Sequence, residues 1–145
     1  MQIINSFEAG KRINGKIHIY VKVIVQQDGS YYMGKWDHRK HLPAEFSQLQ
    51  DVKLIPTKDR GPVPKPTWTI AHPQSDTFSK TPALEDYLDP ELKARTEHEI
   101  EVCERLRQHP HPNLALYHGC LITQGRVSGL IFNKYECNLL EKVNP

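Results

Sequence analysis

Long apolar runs and a strong net charge are both missing from this sequence. No stretch approaches the roughly 18 apolar residues that a membrane-spanning helix needs, and residues 1–10 lack the apolar core of a signal peptide. The net charge is +2, and no block of about five or more like charges occurs. We therefore expect no membrane and no nucleic acid among the partners, and a cytoplasmic or nuclear location.

Cysteine is also scarce, with three residues in 145. An odd number without an export signal predicts free thiols rather than disulfides. Cys103 and Cys120 lie near several histidines, but the spacings H-x-H and H-x-C differ from those of common structural zinc sites. We therefore expect no metal site. An isolated cysteine such as Cys137 is more often a small packed residue than a reactive thiol.

Proline is the residue in excess. Eleven prolines occur, and five of them fall with Gly61 in residues 56–74. Proline interrupts helices and interior strands, so this stretch is either a linker or a loop laid over a folded lobe. A short strand at 67–70 is the one element expected within it. The predicted divisions are a hairpin-containing segment 1–50, a proline-rich connection 51–75 and a second region 76–145.

The first half of the chain contains a β-hairpin pattern. Apolar and polar residues alternate over 17–25, which predicts a strand with one apolar face. The Asp-Gly turn at 27–30 and the run 31–36 complete the hairpin. Because a two-stranded hairpin is marginal alone, it should pack on Phe46 and Leu49 of a short helix, or on the second half of the chain. An exposed edge that adds a partner's strand is the functional alternative.

The second half is patterned as strand, helix and hairpin. A short strand is expected at 76–80, and Asp89 with Pro90 opens a helix that ends at Gln108, because the next residue precedes a proline. The helical face predicted to point inward consists of Leu92, Thr96, Glu99, Cys103 and Leu106, flanked by Ile100 and Val102. The remaining predicted elements are strands at 114–122 and 127–134, a turn at 123–126 and the start of a helix at 137–143. These patterns predict an α+β fold, in which an antiparallel sheet packs against one main helix and a β-hairpin segment precedes both.

The order and sequence of these elements resemble the N-terminal lobe of protein kinases. A strand with a lysine is followed by a helix with an inward glutamate, a His-Pro-Asn turn, a hairpin and a short polar crossover. The likeness is closest to a group of fungal kinase-like proteins. It covers residues 76–145, and more loosely begins at 51. The segments that carry it are FSKTPALEDY, EHEIEVCERLRQHPHPNLALYHGCL and GRVSGLIFNKYECNLLE.

The resemblance implies that ATP binds beside Lys80. Lys80 takes the place of the strand lysine that neutralises charge on the α- and β-phosphates, and Glu99 takes the place of the helix glutamate that pairs with it. Phe132 would guard the back of the nucleotide pocket. ATP and magnesium are the cofactors that the family implies.

The crossover after the second hairpin strand would form the hinge that meets adenine. It consists of Asn133, Lys134 and Tyr135, and the contacts implied are the carbonyl of Asn133 and the amide of Tyr135. No H-R-D-like or D-F-G-like motif follows, so we assign no catalytic residues and no magnesium ligands. If the chain is complete, we expect no kinase activity.

A glycine-rich phosphate loop is also missing. No G-x-G-x-x-G precedes Lys80, and the nearest upstream glycine, Gly61, stands alone among prolines. Two function classes therefore stay open: the ATP-binding lobe of a Ser/Thr-type protein kinase, truncated after the hinge, or a non-catalytic, pseudokinase-like scaffold. The scaffold would bind a protein partner, or self-associate, through the face that a second lobe covers. A simpler interpretation is that Lys80 and Glu99 form an ordinary surface ion pair.

Overall fold

The computed structural model describes residues 1–58, 60–137 and 142–143, which fall into two compact units. The first unit contains residues 1–58 and 84–89, and the second contains 60–83 and the described residues from 90 onwards. The predicted α+β class is confirmed, with two antiparallel sheets and one main helix.

A four-stranded antiparallel sheet in the order β1-β2-β3-β4 forms most of the first unit. Its strands are β1 Gln2–Ile13, β2 Lys16–Gln27, β3 Ser30–Trp36 and β4 Gln50–Ile55. The predicted hairpin is confirmed as β2 and β3, whereas β1 and β4 are additional. Most side chains of these two strands are exposed on both faces, so neither has a clean alternation of apolar and polar residues. A 3-10 helix at Leu84–Leu88 lies against β4.

The buried core cluster of the first unit lies on one face of this sheet and comprises Val21, Val23, Val25, Trp36 and Leu49. Ile24 and Ile55 are also buried, and the strand register places them on the opposite face. Phe46, in the 3-10 helix Phe46–Gln48, packs on the same cluster and meets the Tyr32 ring edge-on, with the ring centroids 5.1 Å apart. The hairpin therefore packs on Phe46 and Leu49, which is one of the two arrangements predicted from the sequence.

The second unit is a three-stranded antiparallel sheet in the order β5-β7-β6, with one helix. Its elements are β5 Thr77–Lys80, α1 Leu92–Gln108, β6 Tyr117–Thr123 and β7 Arg126–Asn133. The helix ends at Gln108, as predicted. It begins two residues later than Pro90, because the carbonyl of Glu91 accepts the first helical hydrogen bond, from Arg95 N at 2.9 Å. β6 also begins later than predicted, since Leu114 N is held in a turn by the carbonyl of His111 at 3.0 Å.

Helix α1 buries a stripe different from the predicted one. Its buried residues are Leu92, Ile100 and Cys103, whereas Val102 and Leu106 are 40% and 43% exposed. The core that receives Ile100 also contains Trp68, Tyr117, Cys120, Val127 and Leu130. The prediction that Leu106 points inward is therefore wrong. Trp68, which belongs to the proline-rich stretch, packs in this core with Ile100, and the Glu99 side chain is 39% exposed at its rim.

The proline-rich stretch is laid over the second unit and is not a free linker. Cys120 N donates to the carbonyl of Thr69 at 2.7 Å, and Ala71 N donates to the carbonyl of Cys120 at 3.0 Å. The predicted strand at 67–70 is wrong, because Trp68 N closes a turn onto the carbonyl of Lys65 at 3.0 Å. A single bridge between Ile70 and Cys120 is all that forms there.

The predicted helix from Cys137 falls mostly on residues 138–141, which lie outside the described part of the chain. Cys137 itself is exposed, so the expectation of a packed side chain is wrong for this thiol. Among the described residues, no helix is both long and apolar enough to cross a membrane.

Candidate functional site

Lys80 and Glu99 meet where the end of β5 faces helix α1. The ammonium of Lys80 donates to Oε1 of Glu99 in an ion pair that joins residues 19 apart in sequence. The two side chains are 55% and 39% exposed. An exposed pair of this kind contributes only about 0–1 kcal/mol to folding. The pair therefore adds little stability, but it holds a solvent-accessible cation in one place.

The strand register places Lys80 and Phe132 on the same face of the second sheet. Phe78 pairs with Phe132, and Lys80 pairs with Leu130. Residues directly opposite each other, or two apart along a strand, share a face. Phe132 is half-buried, and its ring lies 5.6 Å from the ring of Tyr117, centroid to centroid. The lysine, the glutamate and the phenylalanine thus border one region.

Backbone hydrogen bonds fix the start of the crossover that follows β7. Asn133 N donates to the carbonyl of Leu116, and Lys134 N donates to the carbonyl of Asp76, which precedes β5; both distances are 2.9 Å. The side-chain oxygen of Asn133 lies 2.6 Å from Nε2 of His118. Tyr135 is 59% exposed. The contacts implied for adenine, the carbonyl of Asn133 and the amide of Tyr135, remain a prediction.

A cleft of about 820 Å³ opens beside this region, between helix α1 and the loop that follows it. Its apolar lining includes Val102, Leu106, Leu114 and Leu116, which are 40–46% exposed. Glu99, Phe132 and Asn133 also border it. Small-molecule sites commonly have this character, with apolar walls and a few polar groups.

Gly61 packs closely against β7. A Cβ atom at this position would lie 1.9 Å from the carbonyl oxygen of Val127. Val127 N donates to the carbonyl of Pro62 at 3.0 Å, and Nη1 of Arg126 donates to the carbonyl of Gly61 at 3.1 Å. The backbone of this segment therefore runs directly along the start of β7.

Glu104 is a polar anchor that the sequence interpretation misses. Its Oε1 accepts from Thr69 N at 2.7 Å and from the Tyr117 hydroxyl at 3.3 Å, while Oε2 accepts from the Thr69 hydroxyl at 3.0 Å. The carboxylate thereby ties the proline-rich stretch and β6 to the helix. A sequence signal exists, since Glu104 stands four residues after Ile100 and so shares its buried face.

The three thiols lie in different environments: Cys103 and Cys120 are buried, and Cys137 is exposed. Burial raises the pKa of Cys103 to about 11, and the nearby carboxylate of Glu99 acts in the same direction. Burial also raises the pKa of Cys120. Since the thiolate is the nucleophile, both should be inert near neutral pH.

We expect a maleimide to label Cys137 at least about tenfold faster than Cys103 or Cys120 near neutral pH, because only Cys137 is exposed. Peptide mass spectrometry after timed quenching measures the three rates. Labelling in concentrated urea is the control and should reach all three thiols at similar rates. Similar rates in the native protein would contradict the assignment.

The described residues at this site do not fit a magnesium ion. Magnesium prefers several oxygen ligands, and Glu99 is the one carboxylate among the described residues that line the cleft. It is already paired with Lys80. No group of three or more histidine, cysteine, aspartate or glutamate side chains in the described ranges is arranged to hold a metal.

Comparisons of the chain with protein-family models, with curated proteins and with solved structures find no match.

Proposed function

We propose that residues 76–137 form a nucleotide-binding lobe that takes the phosphates of ATP at Lys80. The observation that carries the proposal is the ion pair between Lys80 and Glu99. The resemblance to protein kinases implies this pairing between a strand and a helix. The half-buried ring of Phe132 on the same sheet face supports the proposal, because an apolar wall there can pack against a base.

The ion pair prepares the lysine for an anionic ligand. An ammonium group has three donors, so Lys80 can keep its bond to Glu99 and still donate to phosphate oxygens. Glu99 restricts the rotamers of the long lysine side chain before the ligand arrives, which lowers the entropic cost of binding. The side chain is 55% exposed, so a phosphate can approach it without rearrangement of the core.

The proposal concerns binding alone. Phosphoryl transfer requires a residue that positions the nucleophile and ligands that hold metal ions. For transfer, those groups would have to come from outside residues 76–137. We therefore derive no transfer step.

Calorimetric titration with ATP, with and without magnesium, tests this function. Lys80→Ala should weaken ATP binding by at least about tenfold, because a charge-assisted contact to phosphate is lost. The matched control is Lys93→Ala, which removes an exposed lysine from helix α1 and should leave the affinity unchanged. Lys80→Ala should remain folded, since an exposed ion pair stabilises little.

Two outcomes would overturn the nucleotide proposal: no ATP binding by a folded wild type, or equal binding by Lys80→Ala and Lys93→Ala. A scaffold that binds a protein through the cleft is the second candidate function. The exposed apolar residues Val102, Leu106, Leu114 and Leu116 favour it. It becomes the leading interpretation if ATP does not bind.

A further inference from the structure

β1 and β2 extend beyond the rest of the first sheet as a two-stranded arm. They remain paired as far as Ile13 with Lys16, whereas β3 pairs with β2 only over Val21–Gln27. Residues 9–13 and 16–20 therefore form a ribbon whose two edges have no strand partner among the described residues. Its five residue pairs span about 17 Å at 3.4 Å per residue. Every side chain of residues 10–19 is exposed.

The strand register gathers lysines on one face of the arm and of the adjoining sheet. Side chains that are directly opposite in an antiparallel pair share a face, and successive residues alternate between faces. The pairs on this face include Lys11 with His18, Phe7 with Lys22, Lys22 with Lys35, and Met33 with Lys53. The cationic face, as we name it, comprises Lys11, Lys16, Lys22, Lys35 and Lys53, with Phe7, His18 and Tyr20 among them. Beyond the arm, the same side of the sheet is covered at Ile24 and Ile55, which are buried.

Positive charge on the cationic face is poorly balanced. Asp51 is the one acidic residue among its described strand residues, and it pairs with Lys35. The hydrogen bond and charge of Lys35 lower the pKa of Asp51, and the charges of Lys53 and Lys11 lower it further. Lys11, Lys16, Lys22 and Lys53 form no ion pair with a carboxylate of the described residues, although Asp51 lies near two of them and Asp37 lies near Lys35.

Aromatic rings lie between these lysines. Nζ of Lys22 is 5.8 Å from the ring centroid of Phe7, and Nζ of Lys35 is 5.5 Å from that of Tyr20. Tyr20 and three of the lysines also border a shallow cleft of about 400 Å³. Proteins that bind single-stranded nucleic acid combine a cationic groove, which follows the phosphates, with aromatic rings on which bases stack.

The position of the apolar residues favours nucleic acid over a membrane surface. Ile17 and Ile19 are 66% and 48% exposed, but they pair with Arg12 and Gly10 and so lie on the opposite face of the arm. A surface that enters a bilayer interface places its cations beside the apolar side chains that it buries. On the cationic face, Ile13 is the one exposed isoleucine of the arm.

The basic residues of the first unit all fall in residues 1–58. Residues 1–58 contain nine lysines and arginines against five acidic residues, and residues 84–89 of the same unit add three more acidic residues, Glu85, Asp86 and Asp89. Within the first unit, Glu85 and Asp86 belong to the 3-10 helix that lies against β4, at the edge of the sheet away from the arm. The arm itself, residues 9–13 and 16–20, contains no acidic residue.

We propose that the cationic face binds single-stranded nucleic acid, with its lysines on the phosphates and Tyr20 as a stacking platform. The salt dependence of binding reports the phosphate contacts, because each lysine that neutralises a phosphate releases counterions. Stacking on Tyr20 contributes affinity that salt does not alter. The cationic face consists of residues of the first unit and Lys80 belongs to the second, so this proposal does not depend on the nucleotide proposal.

Fluorescence anisotropy with labelled oligouridylate and oligothymidylate of about 20 nucleotides tests the proposal. The combined variant Lys11→Gln, Lys16→Gln, Lys22→Gln should bind at least about tenfold more weakly. Its slope of log affinity against log salt should fall by about 2, since each contact to a single strand contributes about 0.7. The control variant Lys40→Gln, Lys58→Gln, Lys93→Gln removes the same charge from exposed positions outside this face, and should lose less than about threefold.

Further measurements distinguish the contribution of stacking from that of charge, and binding to nucleic acid from binding to lipid. Tyr20→Leu should weaken binding severalfold and leave the salt slope unchanged. Lys80→Ala should have no effect on either quantity. Equal losses in the two triple variants, or no binding by the wild type, would overturn the proposal. Binding to phosphatidylserine vesicles without binding to either oligonucleotide would assign the face to a membrane surface instead.

Discussion

Ile100→Ala should destabilise the second unit by about 3 kcal/mol, within the range of 2–5 kcal/mol that is usual for enclosed aliphatic side chains. Ile100 is completely buried, in the cluster that also contains Trp68, Cys103 and Tyr117. The substitution removes three carbon atoms and leaves a cavity between the helix and the sheet. The surrounding side chains come from separate elements, so they can close that cavity only in part.

Leu106→Ala is the matched control for this prediction. It removes the same number of carbon atoms from the same helix, but Leu106 is 43% exposed, so its loss should be below about 1 kcal/mol. Urea unfolding followed by tryptophan fluorescence measures both losses. Each unit contains one tryptophan, so a Trp36→Phe background lets Trp68 report on the second unit alone. Equal losses in the two variants would contradict the assignment of Ile100 to the core and of Leu106 to the exposed side of the helix.

The contrast between Ile100 and Leu106 shows that the spacing of apolar residues predicts a helix but does not identify its buried face. The sequence predicts where α1 ends, because that depends on the local His-Pro dipeptide. Successive residues of a helix point about 100° apart around its axis, and α1 has apolar residues on more than one face. The residues that cover the buried face, including Trp68 more than thirty residues away, are distant in sequence. The spacing of apolar residues along the helix contains no information about contacts with residues distant in sequence.

The first sheet contains a turn signal that the sequence interpretation overlooks. Asn14 and Gly15 join β1 to β2 with positive φ angles of 48° and 79°. Asn-Gly is among the strongest short-range signals for a hairpin, and it matches the Asp-Gly turn that does predict β2 and β3. β4 offers no such signal, because its pairing with β3 depends on a chain path through residues 37–49 that no local pattern specifies.

At the candidate site, the sequence places residues more reliably than it assigns their chemistry. Lys80 and Glu99 do meet, as the resemblance implies. The same ion pair would also form on an ordinary protein surface, so ATP binding stays a prediction for calorimetry to decide. The distribution of lysines on the first sheet depends on strand register, which total charge does not report.

Gly61→Ala should destabilise the second unit by about 3 kcal/mol or more, an effect at the upper end for steric overpacking. The new Cβ would lie 1.9 Å from the carbonyl oxygen of Val127, which is far inside contact distance. Neither partner can move easily, because Val127 is buried within β7 and Pro62 is fully buried beside it. Relief of the clash would break the bond from Val127 N to the carbonyl of Pro62.

Val63→Ala tests whether the loss at Gly61 comes from that clash or from any change in this segment. Val63 is 58% exposed, so its substitution should cost less than about 0.5 kcal/mol. Both variants can be measured by urea unfolding in the Trp36→Phe background, with Trp68 as the reporter. A tolerated Gly61→Ala would mean that residues 61–62 do not lie along β7. Those residues would then be free for another role, including contact with a ligand at Lys80, and the assignment of Gly61 to packing would be withdrawn.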